Sequence, residues 1–169
     1  MLTRLPYQVP GRIFRSPLPF GPFDRTQSLW DEYRREGIDL VVVLVEKQEY
    51  LVYTGGDLVQ RYRDQGWDVI HVPIPDHGLP PDRGRFIAAL HQALGTAEQG
   101  RSLVAHCLAG IGRTGMFLAG LARLDQGWSG QRAVNWVREY VPGAVENAGQ
   151  QRFVESLEDL DKEQEPRKP

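Results

Sequence analysis

The chain has 169 residues, a formal net charge of −2 and a single cysteine. That is enough for one domain with a core of ordinary size, and too balanced in charge for general binding to nucleic acid or a membrane surface. One cysteine excludes an intramolecular disulfide and a multi-cysteine metal site, and no apolar stretch approaches the ~20 residues needed to span a bilayer.

The opening stretch, MLTRLPYQVPGRIFRSPLPFG, is broken by Pro and Arg and offers no signal-peptide core. A reducing, cytoplasmic setting is therefore expected, where a free thiol persists. Within it, GRIFRSPLPFGPFD reads as a short strand and a Pro-punctuated loop. DRTQSLWDEYRREG reads as a helix: Asp24 caps it, Leu29, Trp30 and Tyr33 share a face, and Gly37 stops it. DLVVVLV (39–45) is a continuous β-branched run, the signature of a strand covered on both faces. GDLVQRYRDQG is a second short helix and WDVIHVPI another strand, which enters the proline-rich loop PIPDHGLPP. Asp82 then caps a helix carrying Phe86, Ile87, Leu90 and Leu94 on one stripe, with Gly95 as its stop. SLVAH is the next strand, and TGMFLAGLARLDQG, apolar nearly all round, a buried central helix. Helices over GQRAVNWVREYV and QQRFVESLEDL follow. The end, ESLEDLDKEQEPRKP, sets six acidic residues against three basic ones.

Strands alternating with helices predict an α/β domain with a central, mostly parallel sheet of about four to five strands flanked by helices. Ligands bind such sheets at the carboxyl ends of the strands, which puts the loop after Ile74 and the loop after Ala105 on one rim. A right-handed crossover makes those two strands parallel, and neighbouring places in the sheet are expected for them.

The only thiol lies in VAHCLAGIGRTG, 104–115, between a strand and the start of a helix. Such a loop aims successive backbone N–H groups inward, and the helix N-terminus adds partial positive charge. Gly110, Gly112 and Gly115 tolerate the curvature, and Arg113 presents a planar fork to two oxygens of a tetrahedral oxyanion. Cys107, Leu108, Ala109, Gly110, Ile111, Gly112 and Arg113 thus have the makings of a phosphate cradle. A helix N-terminus and a nearby cation both favour a thiolate, so Cys107 reads as a nucleophile attacking phosphorus, with Arg113 binding the equatorial oxygens. Thr114 would donate a hydrogen bond to the sulfur as it leaves, and His106 would order the loop, since a thiolate needs no base. The competing reading is a buried small thiol beside a glycine-rich turn.

A leaving oxygen needs a proton, and a carboxylic acid across the pocket would supply it and then activate water. Asp76, between prolines, fits. Asp82 is the rival, better read as an N-cap. His77 is either a tuner of Asp76 or an exposed loop residue.

HCLAGIGRTG resembles the signature loop of cysteine-dependent protein tyrosine and dual-specificity phosphatases: His-Cys, five residues, then Arg-Thr or Arg-Ser. The chain looks like a compact dual-specificity-like member, with a phosphatase domain over 1–160 and a flexible tail over 161–169. The resemblance supports Asp76 as acid, since the family's acid loop commonly reads Pro-x-x-Asp. It extends to PGAVENAGQQ, where Gln150 falls on a glutamine that positions the hydrolytic water; the alternative is a helix-surface residue. Asn147 stands there where Thr is common, and Val141 where a basic residue often precedes the proline. Arg138 either supports the loop or belongs to a solvated helix face. Glu46 or Glu49 would buttress the rim, or be exposed acids on a loop; Tyr50 and Tyr53 would line the entrance, or pack.

The resemblance implies a phosphocysteine intermediate, no metal and no cofactor. Its substrate would be a phosphorylated protein (phosphotyrosine, with phosphoserine and phosphothreonine as further candidates), the enzyme being a monomer without nucleic-acid or membrane partners. Inositol phosphates or other small phosphomonoesters are the alternative. Leu108, Ala109 and Ile111 are uncharged where members acting on several phosphates often carry lysine, which favours the first class. A non-catalytic phosphate-binding module would have lost Cys, Arg or the acid, and all three are present.

Overall fold

Residues 1–157 are described in the computed structural model; the tail expected over 161–169 and the end of the helix expected over 150–160 lie outside them. Five strands, β1 (Thr3–Leu5), β2 (Ile13–Ser16), β3 (Ile38–Val43), β4 (Asp68–His71) and β5 (Ser102–His106), form one sheet in the order β1-β2-β5-β3-β4. Only β1 runs antiparallel to its neighbour. The described helices are α1 (Leu29–Arg35), α2 (Lys47–Thr54), α3 (Leu58–Asp64), α4 (Arg83–Glu98), α5 (Gly112–Gln126), α6 (Gly130–Tyr140) and α7 (Ala148–Glu155). This is the α/β architecture expected, with a mostly parallel sheet.

The place of β5 follows from its composition. Every residue of SLVAH is buried, and a strand without a polar face must sit inside a sheet covered by helices. It lies between β2 and β3, with Val104 opposite Phe14 on one side and Val41 on the other. The expectation that β4 and β5 are adjacent is corrected: β3 separates them. β3, buried at Ile38 and from Leu40 to Val43, suits an interior position, whereas β4 alternates toward solvent and takes the edge. The two loops of interest still meet, because Leu44 N–H donates to the His106 carbonyl and Ile74 N–H to the Leu44 carbonyl, 3.0 Å each. The rim is thus laced from β4 through β3 to β5.

Right-handed crossovers running in opposite directions put α1 and α3 on one face of the sheet and α4 on the other. Trp30, Tyr33, Tyr62 and Trp67 stack into an aromatic cluster on the first face, with centroid separations between 4.9 and 6.4 Å. On the second, α5 is the central helix, buried from Gly112 to Ala122 and packed by α4, α6 and α7. Gly120 lets α4 approach: a Cβ there would stand 2.8 Å from Leu90 Cδ1.

Several boundaries differ from expectation. Asp24 does not cap α1, which begins only at Leu29; its buried carboxylate accepts instead from the N–H groups of Phe20 and Ser28, closing the turn before the helix. Gly95 lies inside α4, and the helix stops before Gly100, whose φ of +82° is the left-handed conformation that ends helices. β1 was not anticipated, and neither was α2, in which only Tyr50 is buried. Asp82 is the N-cap of α4, accepting from Arg85 N–H at 2.9 Å.

Candidate active site

β5 delivers Cys107 to the carboxyl rim, and the loop after it enters α5 at Gly112. Gly110 has φ +74°, and a Cβ there would lie 2.3 Å from the Ser16 carbonyl, so the loop can pass the end of β2 only with glycine. The N-cap of α5, Ile111, supplies no side-chain acceptor. The first amides of the helix thus keep their donor capacity for an anion. A cleft of about 270 Å³ opens here. From the loop it is lined by Cys107, Leu108, Ala109, Gly112 and Arg113, and from elsewhere by Asp76, His77, Glu146 and Phe23.

Arg113 is only 2% exposed and held from two sides. Its Nη1 and Nη2 donate to Glu49 Oε2 and Oε1 at 2.7 and 2.8 Å, a bidentate pair. Nη1 also donates to the Ile74 carbonyl at 3.1 Å, and Nη2 to Asp76 Oδ1 at 2.9 Å. Burial works against the charge, but Glu49, the Cys107 sulfur and Asp76 outweigh it and raise the guanidinium's pKa. The fork is therefore a fixed cation facing the cleft. Asp76, half-exposed, shares its carboxylate between Arg113 and the His77 ring, Nε2 lying 3.6 Å from Oδ2.

His106 lies beneath the cradle, fully buried. Its Nδ1 faces the Cys107 carbonyl at 3.4 Å and its Nε2 the Tyr62 hydroxyl at 2.9 Å. A carbonyl only accepts, which assigns the proton to Nδ1 and leaves Nε2 to accept from Tyr62. Burial pushes the imidazole's pKa down to about 3, assisted by His71 and Arg113 against the bond to Cys107. The ring is neutral and faces away from solvent, an arrangement suited to bracing a loop rather than abstracting protons.

The structure places the remaining candidates as follows. Thr114 is buried in the first turn of α5, and its hydroxyl has no hydrogen-bond partner among the described residues, Cys107 Sγ included. Gln150 is not a surface residue: it is fully buried, accepts from Glu146 N–H at 3.0 Å, and directs Nε2 toward the Gly78 carbonyl at 3.5 Å. Arg138 is half-buried rather than solvated, donating to the carbonyls of Ala144 and Val145 at 2.9 Å each. Of the two rim acids, Glu49 reaches Arg113 from α2, while Glu46 is exposed at the start of that helix. Tyr50 packs beneath α2, its hydroxyl 3.3 Å from Asp57 Oδ1. Tyr53 is exposed and does not line the cleft, and Asp82 is occupied with its cap.

Two cleft residues were not anticipated. Phe23 keeps 54% of its surface exposed at the mouth; its segment PFGPFD contains nothing that distinguishes one phenylalanine from the other. Glu146 lies directly against the cradle, where a Cβ on Gly112 would collide with Oε1 at 1.9 Å, and its carboxylate also meets His77 Nδ1 at 3.3 Å. Its place within PGAVENAGQ was the available signal.

Residues 21–125 match a family described as Tc-R-P, polymorphic toxin system, DSP-PTPase phosphatase. Among curated proteins, the mouse cyclin-dependent kinase inhibitor 3 is 27% identical over 130 residues, which is 76% of this chain and 61% of that protein. The chain thus spans less than two thirds of that relative's length. Among solved structures, Tk-PTP in its active form is 30% identical with a TM-score of 0.73, over 88% of this chain and 92% of the other. The core catalytic domain of the PP-IP phosphatase SIW14 from S. cerevisiae is 25% identical with a TM-score of 0.61, over 89% and 82% of the two chains.

Proposed function

This chain belongs to the cysteine-dependent protein tyrosine phosphatase superfamily, in its dual-specificity-like branch, and on that premise we propose that it hydrolyses phosphomonoesters through a phosphocysteine intermediate. The observation that carries the reading is the meeting of Cys107, Arg113 and Asp76, from two separate loops, in one cleft at the carboxyl end of the sheet.

Cys107 attacks phosphorus as the thiolate, with Arg113 and the first amides of α5 on the three equatorial oxygens. The S–P bond forms as the P–O bond to the leaving group breaks, and Asp76 gives its proton to the departing oxygen. In the second step Asp76 takes a proton from water, the water oxygen bonds to phosphorus, and the sulfur leaves with its electron pair. The Thr114 hydroxyl, buried and otherwise unpartnered, is the donor available to that sulfur. Gln150 orients the water, exchanging its long contact to Gly78 for it. His106 braces the loop from below.

The substrates we assign are phosphoproteins, phosphotyrosine foremost and phosphoserine or phosphothreonine beside it, met by a cytoplasmic monomer. Support comes from the cleft's lining: Leu108 and Ala109 are neutral, as is Ile111 in the same loop, and Glu146 sets a carboxylate against the cradle, which disfavours ligands bearing several phosphates. The likeness to a PP-IP phosphatase favours the second reading, small phosphorylated metabolites.

The test is a panel of phosphopeptides, phosphoinositides and inositol phosphates, run on the native protein and on Cys107→Ser. Phosphopeptide turnover that vanishes in Cys107→Ser is expected. Near-exclusive turnover of inositol phosphates would overturn the substrate assignment, and activity surviving in Cys107→Ser the mechanism.

A further inference from the structure

Asp76 sits in a turn, closed by Gly78 N–H on the Pro75 carbonyl at 2.9 Å. His77, the next residue, has φ +54°, a left-handed conformation that a non-glycine residue keeps only when its surroundings hold it. What holds it comes from the segment leading into α7. There Val145 is also left-handed, at φ +56°, which is rarer still for a β-branched residue. That strained corner is pinned by Arg138 on two carbonyls and by Gln150 on Glu146 N–H.

Asn147 joins the two segments. Its Oδ1 caps α7 by accepting from Gln150 N–H at 2.9 Å, while its Nδ2 donates to the His77 carbonyl at 3.0 Å. Both ends of one planar amide are used, the acceptor on its own helix and the donor on the acid loop. The Glu146–His77 contact and the long Gln150–Gly78 contact run alongside. A hydroxyl at 147 would also cap the helix, but its single oxygen cannot cross to the acid loop as well.

We propose that Asn147 is a positioning residue for the general acid: its amide ties the acid loop to the N-terminus of α7 and so sets where the Asp76 carboxyl stands over the cradle. This rests on the reading of Asp76 as the acid. The need for proton donation grows as the leaving group worsens, so a displaced acid is felt with phenyl phosphate and little with 4-nitrophenyl phosphate.

The experiment compares the native protein, Asn147→Thr, Asn147→Asp and Asp76→Ala on these two substrates, with melting curves. Threonine and aspartate both keep the cap and both delete the donor, one without adding charge. In each Asn147 variant kcat on phenyl phosphate should fall about tenfold, with kcat on 4-nitrophenyl phosphate, KM and Tm little changed. Adding Asn147→Thr to Asp76→Ala should cost nothing further, because the acid being positioned is gone. Selective loss in Asp76→Ala with native behaviour in both Asn147 variants overturns the inference alone. So does a loss shared equally by the two substrates, or one that follows a lowered Tm. If Asp76→Ala itself shows no leaving-group selectivity, the acid assignment fails first.

Discussion

Replacing His106 with Asn tests whether a neutral imidazole beneath the cradle is what the fold requires. The ring's pKa is about 3 in the folded protein, chiefly through burial, against ~6.5 in an unfolded chain. As pH falls below ~6.5 the unfolded chain takes up a proton that the folded one refuses. Stability is therefore full above that pH and drains away down to the folded value. Between pH 7.5 and 5 the linkage amounts to about 2 kcal/mol from this residue. Urea unfolding followed by the fluorescence of the four tryptophans measures it. Asn removes the titration and also weakens the bonds to Tyr62 and the Cys107 carbonyl, so the variant should be less stable at pH 7.5. Its fall toward pH 5 should nevertheless be shallower than the native one by about 2 kcal/mol. The other ionisable groups are common to both proteins, and of those that titrate in this range His71 alone is coupled to the His106 ring. Parallel stability curves would refute the argument.

Glu49→Gln removes the charge that Arg113 grips bidentately, and charge-assisted bonds are worth ~1.5–3 kcal/mol each. Inhibition by vanadate and kcat/KM should each weaken by roughly tenfold or more, and an unchanged inhibition constant would show that Arg113 keeps its aim without Glu49. Gly115→Ala places a methyl 2.6 Å from Val145 N and 2.9 Å from Ala144 Cβ. Because a backbone atom cannot step aside cheaply, a loss of about 1–3 kcal/mol in denaturant unfolding is expected, and native stability would contradict the packing.

The parts legible in the sequence are those whose causes are local. SLVAH, HCLAGIGRTG and the apolar helix behind them each carry their reason within a few residues: burial on two faces, glycines at a tight turn, an all-round hydrophobic helix. Asp82 betrayed its cap by standing just ahead of an amphipathic helix. The rest depends on partners far along the chain. Glu49 meets Arg113 across 64 positions, and the short helix that carries it buries one side chain only, too little for periodicity to register. Strand order was missed for a related reason: a crossover specifies handedness and direction, not how many places it skips. For Gln150 a surface place stood as the alternative, and for Arg138 likewise, because a polar side chain spent on backbone carbonyls or amides leaves no periodic trace.

Two main-chain bonds flank the cradle: Leu44 N–H to the His106 carbonyl on one side, Leu18 N–H to the Leu108 carbonyl on the other. The side chains of Leu108, Ala109 and Ile111 take no part in those bonds. Shape and selectivity are therefore inherited separately. Of the three, Ala109 lines the cleft without belonging to the hydrophobic core, so an exchange there alters the lining while leaving both main-chain bonds in place.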